Sequence, residues 1–399
     1  MNDMFVQALP ILKKIESHGF EAVFVGGSVR DDLLKRTIHD VDIATSVMPE
    51  EVKAIFPKTI DVGIQHGTVI VLEEGQTYEI TTYRAESEYV DFRKPKEVTF
   101  IRSLKDDLER RDFTMNAIAM NTSGQIIDHF HGQQAIANQV IETVGNADDR
   151  FSEDALRMMR AVRFVSQLGF SCSEETIRSL ERNRSLLQNI SVERILVEFD
   201  KLLQGPLVKK ALQLLLDTEL YAFMPGFQSK GQALAEAAKL DLQKLESLDE
   251  QWATILYFIT EVTDIEEFLR NWRMPTKRIR HIQSLLRLLK ENECDFTDKM
   301  LLYTNGLEAC LSANRIRNLL TNKVLNENEA SIRQQWVALP IQQVSQLAVN
   351  GTHILQWTKK AKGPWIRAIL HTITEKVIYE EIPNELDAIK KEVQRCNLI

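Results

Sequence analysis

The stretch Ala22-Val23-Phe24-Val25-Gly26-Gly27-Ser28-Val29-Arg30 decides the fold of the first part of the chain. Its apolar run, 22–25, predicts a short strand, and the two glycines end that strand where the backbone turns tightly and approaches a ligand. Ser28 is predicted to start a helix. The amides of Gly27 and Ser28, the Ser28 hydroxyl and Arg30 would then offer donors and a positive dipole end to a triphosphate.

A second strand is predicted over 39–44, which contains Asp40-Val41-Asp42. Because side chains alternate along a strand, Asp40 and Asp42 are expected on one face, about 7 Å apart. Two carboxylates at that spacing suit paired magnesium ions (Mg2+). A solvated strand edge is the usual explanation of an isolated Asp-x-Asp, so the interpretation depends on the glycine turn before it.

Together, the Gly-Gly-Ser turn and the hydrophobic-Asp-hydrophobic strand resemble the nucleotidyltransferase superfamily that includes DNA polymerase β. The resemblance implies a small mixed sheet backed by helices. The sequence has no G-x-x-x-x-G-K-[ST] phosphate loop, which favours nucleotidyl transfer over ATP hydrolysis. Glu79, in a strand predicted over 77–82, is a candidate third acid beside the metals, although a surface glutamate is an equally good interpretation.

A chain of 399 residues with 44% hydrophobic and 27% charged residues is typical of a globular protein with two or more domains. It has no run of about 18 uncharged apolar residues, and its first residues lack a signal pattern, so we expect no membrane partner and a cytoplasmic location. The scattered cysteines favour reduced thiols over a zinc site. They are Cys172, Cys294, Cys310 and Cys396.

The pattern of the sequence changes near residue 145. Before it, β-rich runs alternate with turns, which predicts a mixed α/β region. The further predicted strands are 67–72, 77–82, 97–101 and 116–121. After residue 145, apolar residues recur every three or four positions, so helices are expected to dominate up to the C-terminus.

The segment 110–117, Arg-Arg-Asp-Phe-Thr-Met-Asn-Ala, is predicted to enter a strand from a charged helix end. Arg111 is a candidate for binding phosphate or ribose. Asp112 is a candidate acceptor for a ribose hydroxyl, a contact that would separate ribonucleotides from deoxyribonucleotides. The alternative is a local cap, in which Asp112 and Asn116 bond to nearby amides.

The segment 153–157, Glu-Asp-Ala-Leu-Arg, is predicted to open the first helix of the helical part, with Asp154 and Arg157 on one face. A carboxylate beside a guanidinium matches the amino group and ring acceptor of both cytosine and adenine. Guanine and uracil would leave buried polar groups unpaired, at about 1–3 kcal/mol each. An ordinary surface salt bridge is the alternative.

The net charge of −8 is unevenly distributed. Two stretches, 273–290 and 357–371, contain basic residues and no acidic ones. Solvated helix faces explain most such runs, but an enzyme acting on RNA needs local positive charge for phosphates. The candidate RNA-binding residues in them are Arg273, Lys277, Arg278, Arg280, Lys359, Lys360, Lys362 and Arg367.

Through nearly its whole length the chain resembles the class II tRNA nucleotidyltransferases, the CCA-adding enzymes of the bacterial type. The matching segments are 26–30 with Asp40 and Asp42 for the first motif, 110–117 for the ribose-selecting second, 160–164 for the hinge-like third, 153–157 for the nucleotide-templating motif and 193–199 for the fifth. We therefore predict a nucleotide-binding set of Gly27, Ser28, Arg30, Arg111, Asp112, Asn116, Asp154, Arg157, Arg160 and Arg163.

The resemblance implies an elongated protein with an α/β head, 1–145, and an all-α neck, 146–205, body, 206–290, and tail, 291–399. It implies template-independent addition of C, C and A to the 3′ end of tRNA from CTP and ATP, with release of pyrophosphate. Asp40 and Asp42 would be the catalytic metal ligands, and the basic stretches would bind tRNA.

Several related activities stay open. Some members of the family add only CC and others only A, and enzymes that complete CCA resemble this chain in carrying a flexible basic loop. That loop is predicted here at 84–95, with Arg84, Arg93 and Lys94. Bacterial poly(A) polymerase has a similar head, but its Leu-Gly-Arg/Lys-Arg/Lys-Phe signature is absent after the Asp pair. A catalytically silent RNA-binding module is the alternative of a different class, and the intact Asp pair argues against it.

Overall fold

The computed structural model describes residues 1–63, 67–86, 89–90, 94–95, 98–259, 264–290, 295–358 and 361–395. The chain forms two compact units, Met1–Ala238 and Lys239–Ile399. The first unit combines strands and helices, whereas the described part of the second contains helices only. The predicted fold class, a mixed sheet in the head followed by a mostly helical chain, is confirmed.

The strands of the first unit are β1 Ala22–Val25, β2 Asp42–Thr45, β3 Thr59–Gly63, β4 Thr68–Glu73, β5 Gln76–Thr82, β6 Arg84–Glu86, β7 Tyr89–Val90, β8 Lys94–Pro95, β9 Val98–Phe100, β10 Ala119–Met120, β11 Ile126–Ile127, β12 Val140–Ile141 and β13 Ser171–Cys172. Seven of them form the main sheet in the order β11-β10-β1-β2-β5-β4-β3. In that sheet β2 and β5 run parallel, and the other neighbours are antiparallel. The sheet is therefore mixed, as expected.

Strand β1 lies inside the main sheet and is buried along its whole length. Its continuous apolar run explains this, because a strand covered on both faces carries no polar side chains. The ring of Phe24 packs 4.7 Å from that of Phe5 in helix α1, Asp3–Ser17. The strand predicted over 22–25 is confirmed, and β4, β5 and β9 match their predicted strands within one residue at each end.

The strand predicted over 39–44 was wrong at its start. Strand β2 begins at Asp42, whose partner Val25 is the last residue of β1. Gly26 then turns the chain into helix α2, Gly27–Leu33, so β1 offers no partner to the residues before Asp42. Asp40 therefore precedes the strand, although Asp40 and Asp42 are both exposed on either side of the buried Val41.

The predictions for 116–121 and 84–95 were also wrong in part. Residues Thr114–Asn116 form a 3-10 turn, closed by the Ala117 amide on the Thr114 carbonyl, so the strand is confined to β10. Within 84–95, the described residues form the short strands β6, β7 and β8, and β6 pairs with β9. The described residues of this segment therefore form paired strands where an irregular loop was expected.

The remaining helices of the first unit are α3 Pro49–Ile55, α4 Leu104–Glu109, α5 Gly132–Ala137, α6 Ala147–Glu153, α7 Leu156–Leu168, α8 Glu174–Asn183, α9 Val192–Leu203, α10 Val208–Asp217 and α11 Gly231–Ala238. The helix predicted to open at Glu153 was wrong, since α6 ends there and Asp154 is extended. The Asp154 carboxylate accepts the Leu156 amide at 3.1 Å and so caps the first amide of α7 from the position before the N-cap residue, Ala155. Strand β13 also interrupts the region predicted to be all helical.

The helices of the second unit are α12 Leu248–Ile259, α13 Ile265–Asn271, α14 Thr276–Lys290, α15 Lys299–Asn305, α16 Leu307–Leu320, α17 Glu329–Ala338, α18 Gly351–Thr358, α19 Trp365–Ile378 and α20 Leu386–Arg395. Trp252 and Trp272 are fully buried with their rings 5.0 Å apart. The buried Arg315 bridges Glu250 and Glu329 at 2.7 and 2.8 Å. The two ion pairs of Arg315 tie α12, α16 and α17 together.

Cys172 and Cys310 are buried free thiols, and Cys294 and Cys396 lie outside the described residues. Among the helices that the structure describes, none combines the length and the apolarity needed to traverse a bilayer. The division into head, neck, body and tail stays a prediction.

Candidate active site

A cleft of about 1100 Å³ in the first unit brings together all ten predicted nucleotide-binding residues. Its basic lining residues are Arg30, Arg84, Arg110, Arg111, Arg157, Arg160, Arg163, Arg194 and Lys201. Its acidic lining residues are Asp31, Asp40, Asp42, Asp112 and Asp154. Because the cations outnumber the carboxylates, the cleft suits a polyanion such as a triphosphate.

The glycine turn forms one wall of this cleft. Gly26 has a φ of +72°, a conformation that glycine adopts without strain. A Cβ atom on Gly26 would lie 3.0 Å from Nη1 of Arg111 and 3.7 Å from Oδ2 of Asp42, so glycine also leaves room for those groups. The Ser28 hydroxyl donates to the Val25 carbonyl at 3.1 Å and would have to leave it to reach a phosphate.

The acidic pair lies beside the turn. Asp42 pairs in the sheet with Val25 of β1 and with Glu79 of β5, and both Asp40 and Asp42 line the cleft. Burial, together with the charges of Asp40 and Glu79, raises the pKa of the Asp42 carboxyl to about 6, although Arg111 acts in the opposite direction. The candidate third acid therefore neighbours Asp42, but it is outside the lining of the cleft.

This clustering of negative charge fits a divalent cation. Among the described residues, no group of three or more His, Cys, Asp or Glu side chains is arranged to hold a metal by itself. A hard cation that keeps water and phosphate oxygens as ligands needs only one or two carboxylates from the protein. The pair of Asp40 and Asp42 therefore fits a metal that is shared with a bound nucleotide.

Asp112 is the centre of a buried hydrogen-bond network. Its Oδ1 accepts from the Phe113 amide at 2.8 Å and from Asn116 at 3.0 Å, while Nε of Arg160 donates to Oδ2 at 2.7 Å. Burial alone would raise the pKa of Asp112, but Arg160 and Asn116 outweigh it and lower the pKa to about 2. Arg30 joins the network by donating to Asn116 at 2.7 Å. The local amide contact considered as the alternative is thus present.

Asp154 and Arg157, the residues predicted to read the base, lie where α6 meets α7. Nη2 of Arg194, on α9, donates to Oδ2 of Asp154 at 2.7 Å. Arg157 is buried, pairs with Glu153, and donates to the Arg110 carbonyl at 3.0 Å. Asp154 and Arg157 are therefore each held by a different partner, and both line the cleft.

Phe164 lies among three guanidinium groups. The centroid of its ring is 4.2 Å from Cζ of Arg163, 5.1 Å from Arg30 and 5.7 Å from Arg160. Burial, then the charge of Arg160, lowers the pKa of Arg163 to about 10 despite its ion pair with Glu198. An aromatic ring helps to hold such cations close together, since each is attracted to the negative face of the ring.

The predicted loop residues are only partly described. Arg84 begins β6 and lines the cleft. Arg93 lies outside the described residues, and for Lys94 only the backbone of β8 is described. The contribution of this segment to the site stays a prediction.

The predicted tRNA-binding residues belong to the second unit. Arg273, Lys277 and Arg280 are exposed, whereas Nε of Arg278 donates to Asp249 at 2.7 Å. The exposed Lys362 and Arg367 line a separate cavity of about 1190 Å³. Lys359 and Lys360 lie outside the described residues.

Sequence reasoning missed two cleft residues of α9, Arg194 and Lys201, and also Gln204, which follows the helix. Arg194, Glu198 and Lys201 follow one another at spacings of four and three residues, which places polar side chains on a single face of the helix. That row could have been found from the sequence, because the adjoining face of α9 supplies the buried Ile195, Phe199 and Leu202.

Three families match successive parts of the chain. The "Poly A polymerase head domain" matches residues 22–142, and the "Probable RNA and SrmB- binding site of polymerase A" matches residues 169–230. The family described as "tRNA nucleotidyltransferase domain 2 putative" matches residues 243–393.

Relatives match the chain from end to end. The CCA-adding enzyme of Geobacillus sp. (strain WCH70) is 46% identical over 401 residues, which cover 100% of this chain and 99% of that protein. The CCA-adding enzyme of Geobacillus kaustophilus (strain HTA426) is 48% identical over 391 residues, covering 98% and 96%. The crystal structure of the Bacillus stearothermophilus CCA-adding enzyme in complex with CTP is 43% identical, with a TM-score of 0.93 and coverage of 100% and 98%. This chain therefore belongs to the class II CCA-adding enzymes, a family of tRNA nucleotidyltransferases.

Proposed function

We propose that this chain adds and repairs the 3′-terminal CCA of tRNA from CTP and ATP, without a nucleic-acid template and with release of pyrophosphate. The observation that carries the proposal is the cleft in which Asp40 and Asp42 adjoin Gly26 and Gly27 among arginine side chains. The full-length likeness to CCA-adding enzymes, one of them crystallised with CTP, supports it. The same proposal places the enzyme in the cytoplasm, where tRNA and both nucleotides are available.

Nucleotidyltransferases of this family generally use divalent metal ions, and we propose magnesium held by Asp40 and Asp42. The chemistry that two bound magnesium ions supply is activation of the terminal ribose 3′-hydroxyl and neutralisation of the triphosphate as pyrophosphate leaves. Arg30 and Arg111 would bind and orient the phosphates through charge-assisted hydrogen bonds. Asp154 and Arg157 would read the base.

The proposed division of labour follows the chain. The head, 1–145, would carry out catalysis, and the neck, 146–205, would recognise the nucleotide. The body, 206–290, and the tail, 291–399, would hold the tRNA. The family match over 22–142 lies within the proposed head, whereas the matches over 169–230 and 243–393 cross the boundaries proposed between neck, body and tail.

The decisive experiment incubates the purified protein with tRNA that lacks its 3′ CCA, labelled CTP, labelled ATP and magnesium. Products extended by CCA are the expected result. Extension by CC alone or by A alone would replace the proposal with a partial activity, and a long A tract would indicate a poly(A) polymerase. Binding of tRNA without extension would indicate the silent RNA-binding module.

Replacing Asp112 by Ala is expected to relax discrimination against deoxyribonucleotides, because it removes the proposed acceptor for the ribose 2′-hydroxyl. The ratio of kcat/KM for CTP to that for dCTP should fall about tenfold, the worth of one hydrogen bond to a charged group. Steady-state incorporation of the two nucleotides measures it, with thermal melting as the control for folding. An unchanged ratio in a folded variant would leave Asp112 with the structural role of holding Arg160.

Replacing Lys362 and Arg367 together by Ala is expected to weaken tRNA binding and to flatten its salt dependence. The slope of log K against log salt should fall by about 1 to 2, since each lost phosphate contact removes roughly one released counterion. Filter binding at several salt concentrations measures the slope. The double variant of Lys323 and Lys391, two exposed lysines of the same unit, removes equal charge and serves as control. Equal slopes for the two double variants would contradict the assignment.

A further inference from the structure

Asp107 is a buried carboxylate that none of the assigned roles uses. It lies on α4, and its side chain is 1% exposed, whereas its neighbours Lys105 and Asp106 are exposed. A carboxylate in this environment needs charged or hydrogen-bonding partners to remain ionised. Those partners show what Asp107 does.

Three groups donate to the Asp107 carboxylate. Nε and Nη2 of Arg110 donate to Oδ1 at 3.0 and 2.8 Å, and Nη2 of Arg111 donates to Oδ2 at 3.2 Å. The backbone amide of Arg84, at the start of β6, donates to Oδ1 at 3.3 Å. Burial opposes ionisation, but the two arginines and these bonds lower the pKa of Asp107. One carboxylate thus joins two adjacent arginines to the strand that begins the segment 84–95.

The guanidinium of Arg111 extends from Asp107 to the glycine turn. Its Nη2 bonds to Asp107, while its Nη1 is the atom that would lie 3.0 Å from a Cβ on Gly26. The same Cβ position is 3.7 Å from Oδ2 of Asp42. Arg111 therefore has one nitrogen fixed by a buried anion and another beside the turn and the acidic pair.

We propose that Asp107 is a positioning residue for the triphosphate, because it fixes Arg111 with Nη1 directed at the phosphates held by the glycine turn. The inference rests on the proposed nucleotidyl-transfer function. An arginine held in advance loses less side-chain freedom when the ligand binds, and it retains its fork geometry for phosphate oxygens. The charge of Asp107 also reduces the repulsion between Arg110 and Arg111, which would otherwise turn one of them away.

The test compares Asp107→Asn with Asp106→Asn, which makes the same change at the exposed neighbour on α4. Isothermal titration calorimetry measures binding of magnesium pyrophosphate, CTP, ATP and cytidine, all without tRNA. We expect Asp107→Asn to bind pyrophosphate, CTP and ATP about tenfold more weakly, the usual effect of removing a group that orients a ligand-binding side chain. Cytidine affinity should stay within about twofold of wild type, and Asp106→Asn should match wild type throughout.

A double-mutant cycle with Arg111→Ala shows whether Asp107 affects pyrophosphate binding through Arg111 or independently of it. The proposal expects Asp107→Asn to cause no further loss of pyrophosphate affinity once Arg111 is absent. Independent, additive losses would overturn it, and so would equal losses for pyrophosphate and cytidine. Wild-type pyrophosphate affinity in folded Asp107→Asn would also overturn it.

If Asp107→Asn does not fold, the Arg111→Lys variant is used to test the proposal. Lysine keeps the charge but has a single nitrogen, which cannot bond to Asp107 and also face the turn. We expect it to melt as wild type and to bind pyrophosphate about tenfold more weakly. Wild-type affinity in this variant would overturn the proposal. Failure of the wild-type enzyme to extend tRNA would count against the proposed function instead, since pyrophosphate binding is measured separately.

Discussion

Replacing Asp42 by Asn is expected to abolish transfer of both C and A, lowering each rate by about a thousandfold, or about 4 kcal/mol of transition-state stabilisation. The amide has the shape of the carboxylate but lacks the charge that a divalent cation requires. Both nucleotides depend on the same pair of carboxylates, so both activities should fall together. Single-turnover incorporation of CTP and of ATP measures the effect. Each nucleotide is supplied with a tRNA whose next missing residue is that nucleotide.

Affinity for tRNA should survive this change, because Asp42 is not among the basic residues proposed to contact RNA phosphates. Asp61→Asn is the matched control, since Asp61 is an exposed aspartate on β3 of the same sheet and lies outside the cleft lining. It should transfer both nucleotides at the wild-type rate. Near-normal addition of C by Asp42→Asn would refute the assignment of the acidic pair.

The parts of the site that the sequence predicted are those fixed by local patterns. The apolar run ending at Gly26 predicts β1 and the turn after it, and the positive φ of Gly26 agrees with the need for glycine. The acidic pair is recognisable because it follows that turn at short range. Glu79 was a weaker candidate, because its place beside Asp42 depends on the parallel pairing of β2 with β5.

The parts that the sequence did not predict depend on contacts between distant residues. Asp112 meets Arg160, which is 48 positions away, and Asp154 meets Arg194, which is 40 positions away. No spacing rule reveals such pairs, because the packing of α7 against α9 and the head determines them. The break at Asp154 was missed for a similar reason. Its carboxylate caps α7, whereas the apolar periodicity continues across the break.

The contacts of Asp154 and Arg157 mean that a test of base reading must exclude a purely structural effect of each mutation. Asp154 caps a helix and pairs with Arg194, so its loss could disturb α7 without any effect on a base. Arg157 donates to the Arg110 carbonyl, next to Arg111, which is proposed to bind phosphate. A drop in overall activity is therefore uninformative at either position. Only the choice among the four nucleotides separates a templating role from a structural one.

Replacing Asp154 or Arg157 by Ala is expected to slow incorporation of both CTP and ATP, and to raise misincorporation of UTP and GTP relative to the correct bases. The physical reason is that one acceptor and one donor together match cytosine and adenine. Loss of either removes the penalty of about 1–3 kcal/mol for each mismatched buried group, so discrimination should fall about tenfold or more. Single-turnover incorporation of all four nucleotides, beside thermal melting, measures it.

Asp154→Asn provides the matched control for the helix cap, because asparagine caps a helix about as well as aspartate. Its amide has a donor as well as an acceptor, so it keeps the cap of α7 but loses the acceptor-only edge that excludes uracil and guanine. If Asp154 reads the base, Asp154→Asn should stay folded, with its melting temperature lowered only by the lost ion pair with Arg194, and still accept UTP and GTP more readily. If its role is only to cap α7, fidelity should remain at the wild-type level in Asp154→Asn, and base reading would then lie elsewhere in the neck.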